Sequence, residues 1–340
     1  MNIEPVEVLI TVSFGEALLD DLKEISPRLR IHFQPARRVE DIPADLWSRV
    51  EVLYTDRVLP TASQAPNLRW IQFHYAGIDS VLDAPVLQKP ELVITSLSGA
   101  AAPQMAEFAV TLMLAMGHRL PEMMAYQSRA EWPRDRFQRF QPVELRGSTV
   151  GLVGYGSIGR EIARMLQPLK VQILAIKRDV MHPEDTGYMP DGMGDPEGSF
   201  FQRLYPMQAL RSMLKECDFV VVAIPLNAQT KGLITVDDLK AMKPTAFLID
   251  IGRGGIIDPA GLLSVLQDRK IAGAAIDVFS EEPLAPTSPF WKLPNVIISP
   301  HIGGSSLYYN DRAELLFAEN LKRYLTGSAL LNRFDPQKGY

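Results

Sequence analysis

Three short segments in the second half of the chain carry residues able to bind a small anion and move a proton. Ile251-Gly252-Arg253-Gly254-Gly255 sets an arginine among three glycines, just past the apolar run Phe247–Asp250. Such a guanidinium has little steric cover, and its planar fork suits bidentate capture of a 2-oxo or 2-hydroxy carboxylate. Phe279-Ser280-Glu281-Glu282-Pro283 follows the run Ala274–Val278 and offers two carboxylates. Pro300-His301-Ile302-Gly303-Gly304 follows Val296–Ser299 and offers an imidazole, a group suited to proton transfer near neutral pH. Each has an ordinary reading by itself. The arginine could cap a helix or pair with Asp258, and a lone histidine is more often structural than catalytic. A cation, a carboxylate and an imidazole at the ends of three successive strands are harder to dismiss together. The chain has five histidines, His32, His74, His118, His182 and His301, and no two have metal-ligand spacing, so no metal is expected.

The element that would bring a reagent to these groups is Thr149–Arg160, Thr-Val-Gly-Leu-Val-Gly-Tyr-Gly-Ser-Ile-Gly-Arg. An apolar strand runs into Gly154-x-Gly156-x-x-Gly159, and Glu161–Leu169 continues with helical spacing. In this context Gly154 allows the tight turn, Gly156 lets a pyrophosphate approach the backbone, and Gly159 lets the helix pack on the sheet. The phosphates would sit on free N–H groups at the helix start, near Ser157 and Ile158. The next strand, Val171–Ile176, ends in Lys177-Arg178, where an acid would bind an NAD ribose, and no acid follows until Asp179. Two cations there favour a 2′-phosphate, so NADP(H) is the expected cofactor, with NAD(H) possible. The strand-end residues Pro225, Ile251 and Gly303 complete the candidate cofactor contacts. Next comes Met181–Tyr205, 25 residues rich in Gly, Pro, Asp and Met without periodicity, which reads as a long functional, oligomeric or mobile loop.

The first hundred residues alternate short β-rich runs, Val8–Val12, Arg30–Phe33, Val52–Tyr54, Trp70–Phe73 and Leu92–Thr95, with helical stretches such as Glu16–Ile25. That grammar predicts parallel βαβ units. Tyr75-Ala76-Gly77-Ile78-Asp79, just past one of these strands, could offer bare N–H groups to a small carboxylate, or could be a plain turn with Asp79 capping a helix. Met105–Leu120 is nearly all apolar and reads as a buried helix. Pro133–Pro142 is polar, rich in arginine, and reads as surface wrapping.

The 340 residues suggest two domains. A net charge of −5 argues against nucleic acid as a general partner. The single cysteine, Cys217, fits a reducing compartment. Glu4 and Glu7 flank the first apolar run, so no signal peptide is expected, and no apolar stretch suffices for a membrane span. The expected location is cytoplasmic.

The chain resembles the D-isomer-specific 2-hydroxyacid dehydrogenases, close to the glyoxylate/hydroxypyruvate reductase-like members. The motifs that carry the resemblance are Tyr75-Ala76-Gly77-Ile78-Asp79, the glycine loop, and Pro225-Leu226 with Thr230-x-Gly232-Leu233-Ile234. Arg253-Gly254-Gly255, Asp277-Val278-Phe279 with Glu282-Pro283, and Pro300-His301 complete the set. The resemblance implies an α/β fold of two doubly wound parallel-sheet domains, a Rossmann cofactor domain (103–305) inserted into a flavodoxin-like substrate domain (1–102 and 306–340). The helix near Leu307–Leu325 would cross back onto the N-terminal domain, and two copies would form a homodimer through the cofactor domains.

It further implies Arg253, Glu282 and His301 as catalytic residues, with Glu282 preferred to Glu281 because it directly precedes the proline. Ala76 and Gly77 would add backbone contacts to the substrate carboxylate, and Asp277 would accept from the nicotinamide amide. His301 as imidazolium would protonate the carbonyl oxygen, and Glu282 is expected to raise its pKa. Lys177 at the acidic position and the long Met181–Tyr205 loop depart from the family pattern. Only a short tail follows the last helix, so no added regulatory domain is expected. A cofactor-sensing binding protein of the corepressor type is the alternative on the same fold, although no acidic or low-complexity tail accompanies it.

Overall fold

The structure, a computed structural model, describes residues 4–335, so the outermost positions of the expected domain limits, 1–3 and 336–340, lie outside it. The chain divides into two compact units: residues through Ala101 with those from Ser306 onward, and Ala102–Ser305. In the first unit, β1 (Val6–Ile10), α1 (Glu16–Glu24), β2 (Leu29–Phe33), α2 (Ala44–Trp47), β3 (Val52–Thr55), β4 (Trp70–Phe73) and β5 (Val93–Thr95) follow in order. The strands pair in parallel in the order β2-β1-β3-β4-β5, a doubly wound flavodoxin-like sheet. β1, β3 and β4 are buried along their whole length, as expected for a parallel sheet covered on both faces. β1 begins two residues before the apolar run Val8–Val12 suggests. Glu7 is tolerated inside it because its carboxylate meets His32 at 2.5 Å and Arg30 at 3.3 Å on β2.

The second unit opens with α3 (Ala102–Gly117), α4 (Leu120–Ser128) and α5 (Arg136–Arg139). α3 starts three residues ahead of the sequence expectation because Pro103 is harmless in a first helical turn. It stops short of the expected Leu120, since Arg119 turns left-handed (φ 57°). α5 is a single turn inside the stretch read as surface wrapping, closed by Arg139 on Asp135 at 2.6 Å. The remaining elements are β6 (Thr149–Val153), α6 (Ser157–Leu166), β7 (Gln172–Ile176), β8 (Arg203–Tyr205), α7 (Leu210–Leu214), β9 (Phe219–Val222), α8 (Val236–Lys240), β10 (Phe247–Asp250), α9 (Pro259–Gln267), β11 (Gly273–Ile276) and β12 (Val296–Ile298). All pair in parallel in the order β12-β11-β10-β9-β6-β7-β8. Strand order reverses between β6 and β9, so the crevice at their carboxyl ends is the switch point where α/β sheets take ligands. β8 lies inside the segment read as loop, with Leu204 opposite Ala175 on β7.

The chain then returns to the first unit. α10 (Tyr309–Thr326) packs along α1, Phe317 lies against the Tyr54 and Trp70 rings, and Asn320 Nδ2 donates to Gln72 at 3.1 Å. Among the described residues, no helix is long and apolar enough to cross a membrane.

Candidate active site and cofactor cradle

β10, β11 and β12 are neighbours, so the segments leaving their carboxyl ends emerge side by side. His301 follows β12 in the left-handed region (φ 53°), an uncommon conformation for a side-chain-bearing residue. Asp277, just past β11, holds it there. The His301 amide donates to the Asp277 carbonyl at 3.0 Å, and the Asp277 carboxylate accepts from Ile302 N and Gly303 N at 3.0 Å each. Ser299 Oγ donates to the same carboxylate at 2.6 Å. The imidazole Nδ1 lies 2.7 Å from Glu282 Oε2, while Glu282 Oε1 accepts from Phe279 N at 2.9 Å. Both ends of the glutamate are used, so the ring is oriented and its Nε2 is the nitrogen left for a reactant. Of the two candidate glutamates the structure brings Glu282 to the histidine, and Glu281 is exposed.

Arg253 leaves β10 half-buried, its Nη1 donating to the Gly252 carbonyl at 2.9 Å. Asp258, once a candidate partner for it, caps α9 by accepting from Ala260 N at 3.1 Å. The arginine turn runs hard against the segment that carries Glu282. A Cβ on Gly254 would lie 1.9 Å from the Phe279 carbonyl oxygen, so only glycine lets the two approach. Sequence reasoning missed Asp250 at the end of β10, which is 4% exposed. Burial pushes its carboxyl up to about 8, against a bond from Gly252 N, with the Asp277 charge adding to the rise. The available signal was an acid closing an otherwise apolar strand.

The glycine loop joins β6 to α6 as the motif requires. Gly154 has φ 110°, and a Cβ on Gly159 would lie 2.2 Å from the Gly154 carbonyl oxygen. A Cβ on Gly156 would meet nothing within 4 Å, so the backbone there faces open space at the start of α6, beside Ser157 and Ile158. That is the cradle a diphosphate needs, and the residues fit a dinucleotide. Pro225 is exposed at the end of β9, in a turn fastened by Thr230 Oγ donating to its carbonyl at 2.7 Å.

The other expected cofactor contacts differ in exposure. Ile251 is 2% exposed, and Gly303 is buried, with space for a Cβ only 2.8 Å from the Phe108 ring. Asp277 is 1% exposed, and its carboxylate accepts from Ile302 N and Gly303 N in the His301 turn. Lys177 is half-buried, and its ammonium donates to the carbonyls of His182 and Glu184, the latter at 3.0 Å. Burial and then the like charge of Arg160 lower its pKa. Arg178 is exposed, and Asp179 turns away to His182 Nδ1 at 2.7 Å and Met181 N at 3.0 Å.

The segment after Lys177 is fastened to the glycine loop. Arg160, 1% exposed, donates to the carbonyls of Asp195 and Pro183 and lies 3.3 Å from Asp185. Tyr155, inside the glycine motif, donates to Asp195 at 2.5 Å, and Glu161 accepts from Gly194 N at 2.6 Å.

Residues 110–303 match the family described as D-isomer specific 2-hydroxyacid dehydrogenase, NAD binding domain. The chain belongs to this family. A glyoxylate reductase of Thermofilum pendens is 33% identical over 286 residues, covering 83% of this chain and 80% of that protein. An (S)-sulfolactate dehydrogenase of Chromohalobacter salexigens is 32% identical over 264 residues, covering 76% and 78%. The solved structure of a D-isomer specific 2-hydroxyacid dehydrogenase family protein from Aeromonas salmonicida superposes with a TM-score of 0.78 at 28% identity, over 98% of this chain and 99% of that one. The D-2-hydroxyacid dehydrogenase described here is therefore an NAD(P)-dependent oxidoreductase acting on small 2-hydroxy or 2-oxo acids.

Proposed function

We propose that the enzyme reduces a small 2-oxo acid of the glyoxylate or hydroxypyruvate type to the D-2-hydroxy acid. The observation that carries this reading is the 2.7 Å pairing of His301 Nδ1 with Glu282, on a turn locked by Asp277. A nicotinamide, when bound, supplies the hydride that adds to C2. His301 gives the proton from Nε2 to the carbonyl oxygen as the C–O double bond becomes single, and Glu282 keeps Nδ1 protonated and the ring aimed. Arg253 holds the carboxylate through its planar fork. The Ala76 and Gly77 amides, which donate to no group among the described residues, suit a carboxylate oxygen.

The cofactor assignment is NADP(H). It is supported by exposed Arg178 beside Lys177 at the end of β7, and by the engagement of Asp179 elsewhere. The exposed Trp132 and Phe137 near α5 support pairing of two copies through the cofactor unit, which the mass in solution tests. The central experiment is a panel of 2-oxo acids assayed with NADPH and NADH at fixed salt. Failure to reduce any of them with either cofactor overturns the reading.

A further inference from the structure

His74 follows β4 and directly precedes Tyr75-Ala76-Gly77, the turn with open amides. Its backbone is fixed on both sides, the amide donating to the Thr55 carbonyl at 2.8 Å and the carbonyl accepting from Tyr309 Oη at 2.7 Å. Four aromatic rings box the imidazole, with centroids at 4.9 Å for Tyr75, 5.3 Å for Tyr309, 5.6 Å for Tyr54 and 6.1 Å for Phe14. The residue is 5% exposed.

The hydrogen on this ring can be placed by elimination. Nδ1 lies 2.7 Å from Tyr54 Oη, and Tyr54 is wholly buried with no other hydrogen bond for its hydroxyl among the described residues. Burial raises the phenol's pKa well above its ordinary value, so the hydroxyl keeps its proton. If the phenol accepted from Nδ1–H, its own hydrogen would be sealed in without an acceptor, so it donates and Nδ1 accepts. The ring itself is neutral, since burial lowers its pKa to about 4, with Asp56 pulling the other way. A neutral ring that accepts at Nδ1 carries its hydrogen on Nε2. Nε2 has no partner among the described residues, and it is not among the buried side-chain atoms left without one, so it keeps contact with solvent.

We propose that the Nε2–H of His74 is a substrate-selecting donor that binds an oxygen on C3 of the 2-oxo acid. It favours acids with a C3 hydroxyl or similar acceptor over glyoxylate, which has no C3. Tyr54 is the positioning residue that fixes the tautomer. The inference rests on the reading that the Tyr75–Gly77 turn takes the carboxylate, which sets the carbon chain beside the preceding residue.

The test compares kcat/KM for hydroxypyruvate and glyoxylate in wild type, His74→Phe, His74→Gln and Tyr54→Phe. His74→Phe keeps a planar ring without the donor and should lower the hydroxypyruvate-to-glyoxylate ratio about tenfold, chiefly through KM for hydroxypyruvate. His74→Gln returns an N–H donor and should recover part of the ratio. Tyr54→Phe releases the tautomer and should lower the ratio with the imidazole still present. A ratio unchanged in His74→Phe, or equal losses on both acids, overturns the assignment. Should His74→Phe not fold, an unchanged ratio in Tyr54→Phe does the same. Wild-type enzyme inert towards both acids overturns the reductase reading itself, whereas an active wild type with an indifferent His74 overturns this inference alone.

Discussion

His301 is the residue to which we assign the proton transfer, and its left-handed backbone (φ 53°) costs energy that the turn must offset. A side-chain-bearing residue held left-handed costs roughly 1–3 kcal/mol, and three donors closing on the Asp277 carboxylate supply the compensation. His301→Ala should lower kcat for 2-oxo acid reduction at least about a hundredfold through loss of the proton donor. Wild-type kcat in that variant, with chemistry limiting, would remove His301 from the reaction. Asp277→Asn sets an N–H₂ group among donors, so kcat should fall about tenfold or more while KM for the acid moves less. A variant that changes KM alone would place Asp277 at the substrate. The sequence made Arg253, Glu282 and His301 legible because strand ends, glycine neighbours and a proline mark them locally. The partners of Asp277 and the burial of Asp250 were not legible, because both depend on which strands lie adjacent.

At the scale of elements, regular strands and helices could be read from apolar runs, and the segment after β7 could not. β8 has three residues, too few to show a period, and its register with β7 is set by the sheet. The rest of that segment is ordered by groups without sequence pattern. Gly192, Gly194 and Gly198 turn left-handed, and backbone carbonyls receive Lys177 and Arg160. Arg160→Ala would strip two carbonyls and Asp185 of their cation at a buried position, a loss of about 3 kcal/mol by the usual worth of charged hydrogen bonds and buried pairs. The expected result is faster proteolytic cleavage between 181 and 202 and a raised KM for the dinucleotide. Cleavage at the wild-type rate would show that the segment does not depend on α6. Lys177 and Arg178 should then separate. Lys177→Ala loosens the segment and should raise KM for NADPH and NADH alike, whereas Arg178→Ala should raise KM for NADPH selectively. Equal effects of Arg178→Ala on both cofactors would deny it a role at the 2′-phosphate.

Over the whole molecule, buried acids make stability depend on pH in two opposite senses. Burial works to raise the Asp195 pKa, but bonds from Ser199 N, Tyr155 Oη and Phe200 N outweigh it and leave it lowered. Its stabilisation is present in neutral solution and is lost as pH falls through the folded pKa. Asp250 acts the other way. Its folded pKa is raised to about 8 from an ordinary 3.8, first by burial, so the folded protein holds a proton that the unfolded chain has released. Between those values the unfolded state binds fewer protons, and stability falls with rising pH by at most ~1.4 kcal/mol per unit for one such group. Below about pH 4 both states are protonated and the contribution is complete. Asp250→Asn keeps the shape of the protonated acid without a titrating proton, so the variant lacks this slope while retaining every other group's share. In cofactor-free enzyme, the Tm of Asp250→Asn minus that of wild type should therefore rise steadily from pH 5 to pH 8, roughly the interval over which the wild-type carboxyl is being forced to ionise. Parallel Tm curves for the two proteins across that range would mean that the carboxyl at the end of β10 already ionises freely in the folded state.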